Sequence, residues 1–514
     1  MTGRALSVVV ALMLAPAMAR SDPASPDPAE QQSGSASGTA MPQIPPKVAE
    51  RTDFTLTLTT LDALHRKGMM TDEEYAAALR QLIEVGQRAA TAPTFVLGRF
   101  VTTLYGYLEG VAVHDSQRVV VEQYGGHPTL NLPGTVSGDN GRTVFSSRGT
   151  RLGIRFAAPE VSGVRVRGLF EMDFLGNSPF AVTNSAARVG TETNFFVNAT
   201  PRIRHGLMQI DTDVVTFWIG QTWNLIGFEA AFFPTSVQYQ GLPGQLFGRN
   251  PQVRLSHIFD AKLFSVEVAG GAQRPPQQDS EVPELQGGLK LNFPGWTGVQ
   301  SIGGTATTIS PLSVAVSGAV RWFKLATAAT ATGASTTATT SVTGSVIAVD
   351  AFVPVLPAKE RGNLAISVLG EYTHGSGYSD LFTGLNGGLA NAGQPTGVTV
   401  AAYAPFQNLD PGPAGWDTSG ILRTVEWRTL LLDAQISYGK VILAGNYSNV
   451  YSDNIQLFTG ANWFQQIFWD ANLIVDPWPG VRFGLEFART LQRKVAGNAL
   501  ANNSRIFFTG LFLF

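Results

Sequence analysis

Seven arginines stand where alternating side chains put them on one side of β-strands: Arg151, Arg155, Arg165, Arg167, Arg202, Arg204 and Arg254. A guanidinium stays charged and forks onto carboxylate or phosphate, so such a set binds and guides anions and makes no bonds itself. A second group, of carboxylates, comes mostly later in the chain: Asp350, Glu371, Asp433, Asp470 and Glu486. Glu171 and Asp173 interrupt the basic set and are expected to pair with neighbouring arginines. Pore-lining walls of opposite sign across one lumen would set a transverse field, along which a carboxylate solute slides by weak, multiple contacts. The alternative is that these charges only solvate a wet interior and tie strands together.

Other chemistry is thinly represented. The chain has no cysteine, which excludes disulfides, thiolate metal sites and cysteine nucleophiles. Its six histidines are scattered, no two at metal-ligand spacing on one face, and no cofactor or metal is expected. His374 and Ser376 stand two apart, as a barrel lipase would use them. A nucleophilic serine also needs an orienting group and an oxyanion hole, and no such partner can be named, so a rim loop is the better reading and no enzyme is expected. A net charge of −2 without a basic stripe argues against nucleic acid.

The elements that must hold the arginines in line are membrane-spanning strands. Charged residues are 14% of the chain, well below a soluble protein's share, while Gly numbers 55 of 514 and aromatics are 10%. No stretch after the amino terminus is long and apolar enough for a membrane helix, so membrane character must be spread over alternating strands. Val164, Val166, Gly168, Phe170, Met172 and Phe174 oppose Arg165, Arg167, Leu169, Glu171 and Asp173, and the pattern recurs around residues 267, 288, 318, 368, 432 and 485. At the carboxyl end Ile506, Phe508, Gly510, Phe512 and Phe514 share one face, suited to a last strand against lipid. These patterns predict an all-β, transmembrane antiparallel β-barrel of about sixteen strands over 95–514. Strand centres are expected near 107, 152, 169, 205, 218, 254, 267, 288, 318, 349, 368, 432, 445, 469, 485 and 509. Short Gly/Pro turns would lie at one end and long connections, about 116–144, 224–250 and 375–418, at the other.

Ahead of the barrel, residues 1–19 read as a signal peptide: Arg4, an apolar run from Ala5 to Ala15, and the small-residue site Ala17-Met-Ala19. Residues 20–50, rich in Pro, Ser, Ala and Gly, read as a disordered tether. Residues 51–90 read as a periplasmic helical hairpin. Leu58, Leu61 and Leu64 lie on a first helix stopped by Gly68, and a Thr71–Glu74 capping box opens a second with Tyr75, Ala78, Leu79 and Leu82. The expected localisation is the outer membrane of a Gram-negative-type bacterium, with this segment in the periplasm.

Several motifs resemble DcaP-like outer-membrane porins: Ser147 to Arg155, Val166 to Gly176, Arg202 to Gly206, Ile219 to Trp223 and Gly248 to Arg254. Tyr105-Gly-Tyr107 is similar to the first strand of trimeric porins in general. The resemblance implies a sixteen-stranded homotrimeric diffusion channel for small organic anions such as dicarboxylates. It also implies that the connection after the fifth strand folds inward as a constriction loop, with Phe228, Glu229, Phe232, Phe233, Tyr239 and Arg249 as its residues; the alternative is an ordinary external loop. The function so read is a porin for passive diffusion, whose partners are outer-membrane lipid and small anionic solutes. A sugar-selective or nonselective channel, a barrel phospholipase and an envelope-anchoring barrel remain as alternatives.

Overall fold

Period-two alternation gives strands throughout the chain after its first ninety residues. The computed structural model describes residues 52–88, 94–118, 122–123, 129–176, 196–197, 199–239, 241–275, 280–326, 339–382, 413–419, 421–458 and 461–514. The expected signal peptide and tether, and most of the 375–418 connection, lie outside the described residues.

The strands are β1 (Thr94–Leu97), β2 (Phe100–Asp115), β3 (Arg142–Ser146), β4 (Arg151–Ala157), β5 (Arg165–Gly176), β6 (Thr200–Asp211) and β7 (Thr216–Trp223). They continue with β8 (Arg249–Asp260), β9 (Ser265–Gln273), β10 (Glu284–Ile302), β11 (Ala306–Ala326), β12 (Thr339–Leu356), β13 (Ala365–Ser376), β14 (Ala414–Trp416) and β15 (Leu422–Thr424). The last five are β16 (Glu426–Tyr438), β17 (Val441–Ser452), β18 (Trp463–Trp478), β19 (Val481–Lys494) and β20 (Leu500–Leu513).

Each barrel strand pairs antiparallel with the next in sequence. β3 and β4 are two halves of one strand against β2, and β14 pairs with β15 apart from the barrel. β20 returns to β2, from Tyr107↔Leu513 to Asp115↔Arg505, and closes a cylinder of sixteen strands. All sixteen expected centres fall inside these strands. Closure leaves the sixteen-stranded cylinder itself no open seam.

The outward set is apolar and exposed, as on β20, where Ile506, Phe508 and Phe512 are 50%, 45% and 54% accessible. Inward neighbours Asn503, Arg505 and Thr509 are buried. The turns Asp211–Thr216, Asp260–Ser265, Tyr438–Val441 and Trp478–Val481 lie at one end, which is also the end of Phe514.

At that end β1 pairs only with β2, continuing the ladder beyond the point where Phe514 bonds to Gly106. It carries the helices α1 (Thr52–Arg66) and α2 (Asp72–Arg88). Gly68 has φ +68 and ends α1. The capping box at α2 is formed: the Glu74 N–H donates to Thr71 Oγ1 at 3.2 Å and the Thr71 N–H to Glu74 Oε2 at 3.0 Å. Leu61, Met70, Ala78 and Leu79 make a small core, with Leu58, Leu64, Tyr75 and Val96 of β1 against it. The side chain of Leu82 lies outside the described residues.

Candidate functional site

The interior of the cylinder is divided. Residues 224–239 and 241–248, between β7 and β8, cross it and are fastened to the far wall. The backbone N–H groups of Leu225 and Ile226 donate to Gln286 Oε1, and that of Gly227 to Ser317 Oγ. Further along, the Thr235 N–H donates to Asp433 Oδ2 at 2.6 Å, Val237 N–H to Asn472 Oδ1 at 2.9 Å and Leu246 N–H to Glu371 Oε1 at 2.8 Å. Ser236 and Gln238 both donate to the Glu486 carboxylate. Phe228, Phe232, Leu225 and Leu242 of the segment pack on Ala315, Phe352, Leu369, Leu431 and Phe468 of the wall. A second cluster, including Ile226, Leu246, Trp427 and Trp463, fills the barrel near the long-connection end.

A hairpin rises from the opposite end. β10 and β11 slip register between Phe293 and Thr297, and the ladder resumes at Thr297↔Pro311 and turns at Ile302↔Ala306. Such an irregularity bends the ribbon. Trp296 Nε1 donates to Pro354 O at 2.7 Å, which pins the bend. Beyond it the hairpin crosses the interior. Ser367 Oγ and Gln435 Nε2 donate to Val299 O, Gln300 Nε2 donates to Ala231 O, and Thr235 Oγ1 donates to Ser301 O. Arg482, paired with Asp476 at 2.6 Å, donates to Gly304 O at 2.9 Å and Thr307 Oγ1 at 2.7 Å. Gly304 has φ +65, and a Cβ there would stand 2.3 Å from Ser236 O, so only glycine lets hairpin and crossing segment meet.

This arrangement corrects the reading of the acidic wall. Asp350, Glu371, Asp433, Asp470 and Glu486 are all 5% or less accessible. Glu371, Asp433 and Glu486 accept hydrogen bonds from the crossing segment, and Asp470 accepts from Asn446 and Asn472. Glu371, Asp433 and Glu486 thereby anchor the crossing segment, because unpaired backbone donors brought inside a barrel need acceptors, and all five carboxylates are buried in a packed interior.

The arginines are placed differently. β4 to β8 direct Arg151, Arg155, Arg165, Arg167, Arg202, Arg204, Arg249 and Arg254 inward, against the carboxylates Glu171, Asp173 and Asp211. The fork of Arg202 holds Asp173 at 2.9 and 2.6 Å. Arg204 bridges Glu171 at 2.6 Å and Asp173 at 3.0 Å, and Arg151 approaches Glu171 at 3.5 Å. Arg167 meets Asp211 at 3.5 Å. Both carboxylates that interrupt the basic set are thus paired with arginines. Arg204 and Arg254 are buried; Arg155 is exposed, and Arg165 and Arg167 are half-buried.

Aromatic rings set the arginine planes. Arg155 lies over Tyr105 at 4.3 Å, Arg151 over Tyr107 and Tyr239 at 5.0 and 5.4 Å, and Arg254 over Trp218 at 4.9 Å. Arg249 lies over Trp223 at 4.7 Å and Phe247 at 5.5 Å, and Trp223 stands edge-on to Phe233. A ring face holds a guanidinium plane in place without using up an N–H donor. Tyr239 marks where the crossing segment meets this wall: its hydroxyl donates to Glu109 Oε2 at 2.7 Å, over Gly149, where a Cβ would lie 1.2 Å from it. Glu229 accepts from the Gly248 N–H at 3.0 Å and closes the base of the segment.

The lipase arrangement is not assembled. Ser376 Oγ bonds to Thr424 Oγ1 at 2.6 Å, and His374 Nε2 turns to Glu426 at 3.5 Å.

Sequence reasoning missed the inward hairpin and the apolar core of the interior. Their signal was present: Trp427, Leu431, Phe468 and Phe323 lie on the inward side of strands whose outward side is apolar too.

No family model and no curated relative matches the chain by sequence. Among solved structures it is similar to the outer membrane channel DcaP of Acinetobacter baumannii, at 14% identity over 81% of this chain and 97% of that one, with a TM-score of 0.54. It is similar also to the trimer form of OmpT of Vibrio cholerae, at 13% identity, 81% and 99% coverage and a TM-score of 0.43. An anion-selective porin from Comamonas acidovorans matches at 9% identity, 81% and 100% coverage and a TM-score of 0.43. The likeness is one of fold, and the first of these structures carries it.

Proposed function

We propose that this chain, which has the fold of an outer-membrane porin, is a passive channel that passes small organic anions, dicarboxylates among them, along its arginine wall. The sidedness of the interior supports this most. Eight inward arginines against four carboxylates on β4–β8 (Glu171, Asp173, Asp211 and Asp260) leave a formal excess of four positive charges (8 − 4 = 4). The rest of the interior is taken up by the crossing segment, the hairpin and apolar side chains. A solute in transit therefore moves beside guanidinium groups. Paired carboxylates keep the wall from holding an anion too tightly, and exchange between neighbouring arginines gives the weak, multiple contacts that conduction needs. Phe233, Tyr239 and Arg249 narrow the path where the crossing segment leaves and meets this wall, and Phe228, Glu229 and Phe232 brace it.

The same reading makes the barrel a homotrimer in the outer membrane, with α1 and α2 in the periplasm beside the short turns. Planar-bilayer currents of the full chain across succinate, acetate and a neutral disaccharide test the solute class. Anion permeability above potassium permeability, with succinate passing faster than the disaccharide, is expected. Equal passage of disaccharide and succinate would overturn the anion path.

A further inference from the structure

The outward face of β16–β20 departs from the apolar pattern elsewhere, and we propose that it is a binding site for the phosphate groups of a membrane lipid. Three described arginines of the barrel strands point outward, and all three lie here: Arg428, Arg489 and Arg493. Strand register sets Arg428, Tyr451, Gln465 and Arg493 in one row across β16–β19, since Arg428↔Tyr451, Tyr451↔Gln465 and Gln465↔Arg493 are paired positions. The row below carries Asn449, Ile467, Leu491 and Asn502, and the next Tyr447, Trp469, Arg489 and Ser504. A polar wedge thus narrows downward from the barrel end into the lipid-facing surface, floored by Tyr447 and Trp469.

Its height is that of a lipid headgroup. Arg428 lies ten residues above Tyr438, the outward aromatic at the short-turn rim. At 3.4 Å per residue and a 40° tilt that is about 26 Å along the membrane normal, against an apolar band of about 25 Å. Arg493 lies slightly higher and Arg489 lower. Arg489 is held at that depth by Ser504 Oγ and by Asn502 Oδ1 at 2.9 Å, which occupy two of its five N–H donors. Arg428 stacks over Tyr451 at 4.9 Å and pairs with Asp453 at 2.7 Å, its side chain 51% exposed. Arg493 is exposed and has no hydrogen bond or ion pair within the described residues. An arginine at hydrocarbon depth is costly unless its donors meet anionic acceptors. Lipid phosphate is the acceptor that lies at this level, and in the orientation proposed above the lipid is the phosphorylated glycolipid of the outer leaflet. The wedge faces away from the lumen, so the proposal stands or falls separately from the anion path.

The test is native mass spectrometry of the full chain in detergent, titrated with diphosphoryl lipid A or its dephosphorylated form. Diphosphoryl lipid A should bind at least about tenfold more tightly than the dephosphorylated form, and R428A/R489A/R493A should remove that difference, as loss of charge-assisted hydrogen bonds requires. Heat-modifiable gel mobility establishes that the variant barrel is folded. R428K/R489K/R493K should retain most of the preference, because charge persists although the fork is lost. Equal binding of the two lipids, or an unchanged preference in the alanine variant, would overturn the proposal. So would displacement of the lipid by millimolar inorganic phosphate, which marks a free-anion site, or a changed oligomeric state with unchanged lipid binding, which marks a contact between copies.

Discussion

Replacing Arg165 and Arg167 by alanine removes two positive charges from a half-buried stretch of the arginine wall. For a monovalent ion about 7 Å away in water, each charge contributes about 0.6 kcal/mol before screening. At 0.1 M salt the Debye length is about 10 Å, so roughly half of that survives, or about 0.3 kcal/mol per charge. Two charges raise the energy of an anion by about 0.6 kcal/mol and lower that of a cation equally, so the anion-to-cation permeability ratio should fall about sevenfold. At 1 M the Debye length is about 3 Å and the same arithmetic leaves a change of only about 1.5-fold. Reversal potentials under a tenfold KCl gradient, at both ionic strengths, measure this. An unchanged ratio at low salt would remove both residues from the conduction path. An equal change at both salt concentrations would mean that the substitutions rearrange the wall and that its field is not what selects.

Replacing the hairpin tip 299–308 by an Asn-Gly turn should raise single-channel conductance about twofold or more, since a two-stranded ribbon about 10 Å thick leaves the cross-section; an unchanged conductance would place the hairpin off the path. In the helical hairpin, Leu61→Ala or Leu79→Ala should cost about 2–5 kcal/mol, more than so small a core supplies, and open the 66–72 turn to protease while heat-modifiable barrel mobility stays as it was. The Thr71 N–H bond holds the Glu74 carboxyl below the ordinary carboxylate range. The stability it adds is present above the unfolded pKa and lost as pH falls through the lowered folded one, so protease resistance of the 66–72 turn should fall on that acid limb and Glu74→Gln should flatten it.

The barrel was legible because its two solvents impose opposite demands on adjacent residues. Arg165 and Val166 cannot exchange faces without putting a guanidinium in hydrocarbon, so one residue of register error is visible in the sequence. Every strand centre was recoverable on that ground, including 205, although Arg204 and His205 are both buried across the irregularity opposite Glu171 and Met172. The interior was less legible, because alternation tells inside from outside and does not tell water from protein. Asp433 reads the same whether it faces an ion or receives the Thr235 N–H. What distinguished the two was the inward Leu431 beside Leu430 and Leu432, an apolar run that a wet lumen does not call for. The inward hairpin was hidden because Gly303-Gly304 is spelled like any tight turn, and only the position of the Ser236 carbonyl shows why glycine is needed there.

The filled half of the interior bears on the arginine half. A charged group in a water-filled cylinder is screened from all sides, whereas one facing a packed apolar body across a narrow gap has field lines confined to the gap. On the anion path proposed above, Phe228, Phe232 and Leu242, packed on Ala315, Phe352 and Leu369, would act on selectivity through the dielectric they impose. Glu371, Asp433 and Glu486 do the same: bonded to the crossing segment, they keep that body in place. Shortening the crossing segment's apolar side chains should therefore weaken anion preference even though every arginine is retained, and deepening the packing should strengthen it. A wall that selected by local guanidinium contacts alone would respond to neither change.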